Sequence, residues 1–142
     1  MAKENYNRLL NKLLNICASK ALIEEAFDTR ESLLCLSDIF RYIYDEKKIE
    51  VTLSSEIELL CMYLELLGQG SGLDVGIKTE FDIKSNEVYI KHLDLFSKLV
   101  ADIEHSSIKS DRTVYFIENN EKLDVAKNIN GESKLIVQIE KL

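Results

Sequence analysis

The sequence predicts an α+β chain, with an N-terminal helical hairpin over 1–47 and a small two-layer α/β sandwich over 48–142. Three observations predict it. As far as Gly70 the apolar residues recur at steps of three and four, the spacing of one stripe of a helix. From Leu73 the rhythm changes to strict alternation, as in a strand with one buried face. Further on, Asn119-Asn120-Glu121 and Asn130-Gly131 punctuate three short alternating runs as hairpin turns do. A length of 142 residues suits one domain with a helical appendage and suffices to bury a core.

Composition narrows the function classes. The 46% apolar and 30% charged fractions are ordinary for a soluble globular protein. No apolar run approaches the ~20 residues of a membrane helix, and no signal peptide is visible, so a cytoplasmic protein is expected. A net charge of −7 argues against nucleic acid, whose phosphate backbone calls for a basic face. Cys17, Cys35 and Cys61 lie in apolar helical patterns without CxxC spacing and read as buried thiols. No metal and no cofactor is expected. With no proline in the chain, nothing interrupts the helices.

The first helix is predicted over Lys3–Ala18, with Leu9, Leu10, Leu13, Leu14, Ile16 and Cys17 forming an apolar face wider than one partner demands. A second helix runs to about Tyr44 and carries Leu33, Leu36, Phe40 and Ile43 at steps of three, four and three. Two such helices leave apolar surface over, and pairing with a second copy as a four-helix bundle would cover it. A homodimer is therefore expected, with Leu9, Leu10, Leu13, Cys17, Leu33, Leu36, Phe40 and Ile43 at its interface.

Val51 and Leu53 then alternate with polar neighbours in a short extended segment before a third helix bearing Ile57, Leu60, Leu64 and Leu67. Ser54 or Ser55 is expected to cap that helix, and Glu56 and Glu58 suit the positive end of its dipole. Gly68, Gly70 and Gly72 read as a flexible break; no Lys-Ser/Thr pair follows them, so a P-loop is rejected. A strand follows, with Leu73, Val75, Ile77, Thr79 and Phe81 on one face. Helical periodicity returns from Tyr89 to about Ser106, with Leu95, Leu99 and Ile103 on one stripe. Strands are predicted over Thr113–Glu118 and Lys122–Ile129, and a last one along Leu135, Val137 and Ile139. Helices on one face of such a sheet make a two-layer sandwich.

The stretch LLCLSDIFRYIYDEKKIEVTLSSEIELLCMYLELLGQG, from Leu33 to Gly70, resembles sensor histidine kinases of the LytS/YesM type. In that family it links a dimerising helical hairpin to an ATP-binding domain of the GHKL group, of which the sandwich here would be a trimmed version. The family's first helix opens with a motif like NPHFLFNTLN, whose histidine accepts the phosphoryl group. The matching run here places Asn7 at that position, and an amide cannot carry a phosphoryl group as an imidazole nitrogen does.

The family's nucleotide helix reads like PLVENAIKHG, in which an Asn holds magnesium and a Glu assists. Aligned on Leu99-Val100, this chain has Ala101 and Asp102 there; aligned on His105, it has Val100 and Ala101. The adenine-reading DxGxG element falls on Ile129-Asn130-Gly131-Glu132-Ser133, which lacks the aspartate and keeps one glycine, Gly131. The eleven residues after Gly131 leave room for one strand but none for the family's ATP lid.

The resemblance therefore implies a catalytically inactive histidine-kinase-like protein of two-component signalling. It would act by dimerising and binding a partner, a histidine kinase or a response regulator. Two alternatives stand beside it: a phosphotransferase or kinase using His92 or His105, both placed in the fourth helix, and a module binding a small ligand in the trimmed pocket.

Overall fold

In the computed structural model, residues 8–10, 12–17, 19–20, 27–71, 74–81, 88–105 and 112–142 are described. The fold is mixed α+β, and the chain divides into two compact units, Met1–Asp45 and Glu46–Leu142.

The described residues of the first unit are mostly helical. Residues 8–10, 12–17 and 19–20 are helical (α1), and α2 spans Phe27–Ile43. On α1 the buried residues are Leu10, Leu13 and Cys17; on α2 they are Thr29, Ser32, Leu36, Ile39 and Ile43. Both sets keep steps of three and four, as the apolar stripe of a helix requires. Leu9, Leu33 and Phe40 are half-buried, and Phe40 stacks on Tyr44 with ring centroids 5.5 Å apart. Leu14, Ile16 and Leu34 are exposed. Asn7 lies outside the described residues.

In the second unit, β1 (Glu50–Thr52) leads directly into α3 (Leu53–Ser71). The cap is Thr52, two residues before Ser54 and three before Ser55: its Oγ1 accepts the Ser55 amide at 3.3 Å and meets the Ser55 hydroxyl at 2.7 Å. A side-chain oxygen there satisfies a first-turn N–H that has no partner within the helix. The helix continues through Gly68 and Gly70 to Ser71, so those glycines do not break it. Its buried side is Leu53, Glu56, Leu59, Leu60, Tyr63 and Leu66. Ile57, Leu64 and Leu67 flank that side half-buried, which rotates the stripe away from the expected one.

The buried side includes one acidic residue, Glu56. Its carboxylate is fully buried and accepts the amide of Phe96 at 3.3 Å, in the first turn of α4 (Asp94–His105). A buried polar group is tolerated where hydrogen bonds satisfy it. The sequence assigns this residue to the dipole of its own helix, whereas it reaches across to cap another.

Two sheets are present among the described residues. β1 pairs antiparallel with β3 (Tyr89–Lys91), register Val51↔Ile90. The four-stranded sheet has the order β2-β4-β5-β6, from β2 (Val75–Thr79), β4 (Thr113–Asn119), β5 (Leu123–Ile129) and β6 (Glu132–Ile139). β2 runs parallel to β4, and the remaining pairs are antiparallel. Tyr89–Lys91 is thus strand, where the sequence predicts the start of a helix. Leu93, at φ 66°, turns the chain between them, and α4 begins only at Asp94. His92 consequently sits in that turn, its amide donating to Ile49 O at 2.9 Å, while His105 ends the helix exposed.

Helix α4 buries Leu95, Phe96, Leu99, Val100 and Ile103. It packs with α3 and β6, and α3 packs with β2. The inward side chains of the sheet include Tyr115, Ile117, Leu123, Val125 and Ile139, all fully buried. Asn130 (φ 55°) and Gly131 (φ 85°) close the β5–β6 hairpin, the pair of positive φ values expected of a type I′ turn. Of the three thiols, Cys17 is buried, Cys35 is half-buried and Cys61 is exposed on α3, so burial of all three does not hold. Burial pushes the Cys17 thiol up in pKa; at Cys61 burial and the nearby Glu58 do the same. No helix of the described residues is long and apolar enough to cross a membrane.

Candidate functional site

The alternation of β4, β5 and β6 places Tyr115, Lys127 and Lys134 in one cross-strand row on the face toward α4. The next row is Thr113, Ile129 and Glu132. Above these rows α4 contributes Asp102, one residue before the buried Ile103 and half-exposed itself. Its Oδ2 is shared. The Tyr115 hydroxyl donates to it at 2.6 Å, and the Lys127 ammonium lies 3.0 Å away. Lys127 also stands 6.0 Å from the centroid of the Tyr115 ring, at the outer reach of a cation–π contact.

Beside this cluster lies an open cleft of about 600 Å³, lined by Asp102, Lys127, Ile129, Asn130, Glu132, Ser133, Lys134 and Ile136. Its electrostatics are mixed, with two ammonium and two carboxylate groups. The Tyr115 phenol is pushed well above its ordinary range, by burial first and then by its hydrogen bond to Asp102. Tyr63 is raised for the same leading reason, with Glu104 adding to it, and it donates to Glu104 Oε1 at 3.0 Å. Two buried phenols thus hold successive acidic residues of α4, one from α3 and one from the sheet. Both remain protonated donors, which suits them to anchor carboxylates and not to act as bases.

Of the positions singled out in the sequence, Asp102 and Ile129 come together in the cleft, and Gly131 sits in the adjoining turn. Ala101 is exposed on α4 and does not line it. Lys127, Tyr115 and Lys134 escaped sequence reasoning. One signal pointed to Lys127: it holds an inward position in a strand whose other inward residues are Leu123, Val125 and Ile129. Asn130, Glu132 and Ser133, which also line the cleft, belong with Ile129 to the run on which the family's adenine-reading element falls. Among the expected interface residues of the hairpin, Leu10, Leu13, Cys17, Leu36 and Ile43 are buried in the single chain, and Leu9, Leu33 and Phe40 are half-buried. Among the described residues, no group of three or more His, Cys, Asp or Glu side chains could hold a metal ion.

Residues 7–69 match the family model described as histidine kinase. This supports a histidine-kinase relationship. The matched segment runs from the N-terminal helical residues through β1 and most of α3, less than half of the chain. The cleft lies wholly outside it. No curated protein matches the chain.

Proposed function

We propose that this chain is a catalytically inactive signalling protein related to histidine kinases of the LytS/YesM type, acting by dimerisation and by binding a partner of two-component signalling. The sandwich is read as a GHKL-type domain that no longer serves ATP. The observation that carries the reading is the state of Asp102. In one alignment with the family it stands where the magnesium-holding Asn belongs, and here one of its oxygens is already engaged by Tyr115 and Lys127. An ammonium 3.0 Å from that carboxylate opposes a divalent cation at the same oxygen. Ile129, where the family reads adenine with an aspartate, offers no acceptor for an exocyclic amine. Asn7 at the phosphoacceptor position supports the same conclusion.

The test is a melting curve with Mg·ATP. A ligand at one hundred times its Kd raises stability by roughly 2.7 kcal/mol. No shift is expected at millimolar Mg·ATP; a saturable upward shift would overturn the inactive reading.

Dimerisation draws on Leu14, Ile16 and Leu34, apolar residues that the single chain leaves exposed. Light scattering is expected to give about twice the chain mass of 16.3 kDa. Leu14→Glu with Leu34→Glu, both at exposed positions, is expected to give the single mass with helix content retained. A wild-type chain that runs as a monomer at tens of micromolar would remove this part of the reading.

A further inference from the structure

We propose that the cleft beside Asp102 binds a small zwitterion of the α-amino-acid class with an aliphatic side chain. A volume of about 600 Å³ lies within the range of small-ligand sites. Its floor holds an unusual pair: Lys127 and Lys134 are directly opposite each other across β5 and β6. Like charges so placed are destabilising. Asp102 neutralises Lys127, whereas Lys134 makes no ion pair among the described residues. The row is short of one negative charge.

One pairing further along, Ile129 faces Glu132, which also makes no ion pair among the described residues. Glu132 and Lys134 are two apart on one strand, so they share a face at a spacing of roughly 6.6 Å. A cation and an anion thus stand side by side in the cleft without closing on each other. A ligand carrying both charges completes both: its carboxylate takes the Lys134 ammonium, and its own ammonium goes to Glu132. Such charge-assisted bonds are the stronger kind.

Charge balance decides between this and a simple anion. Asp102 and Glu132 offset Lys127 and Lys134, so the lining has no net charge, and the chain as a whole carries −7. Neither favours a free phosphate or a dicarboxylate, while a ligand of zero net charge meets no such penalty. Ile129 and Ile136 supply an apolar wall against which an aliphatic side chain would be buried.

The experiment is a calorimetric or NMR titration of the full chain with free leucine and its two truncated analogues, isocaproate without the amine and isoamylamine without the carboxylate. Leucine is expected to bind saturably and about tenfold or more tighter than either analogue. Lys134→Met should weaken leucine and isocaproate while leaving isoamylamine unchanged. Glu132→Gln should weaken leucine and isoamylamine while leaving isocaproate unchanged. Both residues are exposed, so the variants keep the fold, which the melting curve verifies. Isocaproate binding as tightly as leucine would show an anion site and overturn the proposal, as would no saturable leucine binding at tens of millimolar. Mg·ATP binding would overturn the inactive reading alone, so the two failures are told apart.

Discussion

The helix-facing side of the four-stranded sheet has two halves built on opposite principles. In one, Ile117, Leu123, Val125 and Ile139 are fully buried and present only carbon. In the other, continuing the same strands, Tyr115, Lys127, Lys134 and Glu132 replace them, and a cleft opens. Helix α4 carries the same division: Leu95, Phe96 and Leu99 are fully buried, while Asp102, near its C-terminal end, is half-exposed. Packing alone explains the apolar half. The polar half costs stability to build, since a buried phenol and a nearly buried lysine must both be satisfied by one carboxylate oxygen. A surface made only to close a core would continue the apolar pattern. Its interruption at one end is where function is to be sought.

The largest expected effect breaks the apolar half. Phe96 is fully buried, meets Tyr63 edge-on at 5.9 Å, and lends its amide to Glu56. Phe96→Ala is expected to lose about 3–5 kcal/mol in denaturant unfolding, the transfer term of the ring plus the cavity left behind. The backbone bond to Glu56 survives that substitution. A loss below about 1 kcal/mol would show that the site collapses around the smaller side chain, and that the apolar half is less rigid than its burial implies.

The same division explains how much of this molecule was legible in its sequence. Alternation placed β4, β5 and β6 closely, because one face of each meets α4 and the other does not. The Asn130-Gly131 turn was readable because positive φ at both positions selects those residues. Tyr89–Lys91 misled, since its strand state depends on pairing with Glu50–Thr52 some forty residues earlier, which no local pattern encodes. Glu56 misled for a like reason: a glutamate in a first turn suits the helix dipole as well as it suits a distant amide. In the cleft, Lys127 passed unnoticed although it interrupts the apolar stripe of β5; its partner Asp102 lies on α4, and only folding joins them.

Smaller effects come from the polar half, and they separate its two contacts. The Lys127 side chain is 12% exposed and that of Asp102 29%. Removing one partner of a fully buried pair costs about 3–5 kcal/mol; the exposure of Asp102 and its remaining bond from Tyr115 lower the expectation for Lys127→Met to about 2 kcal/mol. Tyr115→Phe keeps the ion pair and forfeits one hydrogen bond to a charged group, about 1.5 kcal/mol. Because both contacts share Asp102 Oδ2, the double variant should depart from the sum of the singles.

Alkaline pH then distinguishes the phenol from the amine. Tyr115 and Tyr63 hold their protons more tightly folded than unfolded, owing first to burial and then to their acidic partners. Their stabilisation is fully present below the unfolded phenol value of about 10 and is lost as pH rises through the folded one. Wild-type stability should therefore fall as pH climbs past about 10, more steeply than that of Tyr115→Phe, which has one such phenol fewer. Denaturant midpoints at neutral and alkaline pH measure the difference. Equal slopes for the two proteins would mean that Tyr115 ionises as easily folded as unfolded, and that Asp102 is held by Lys127 alone.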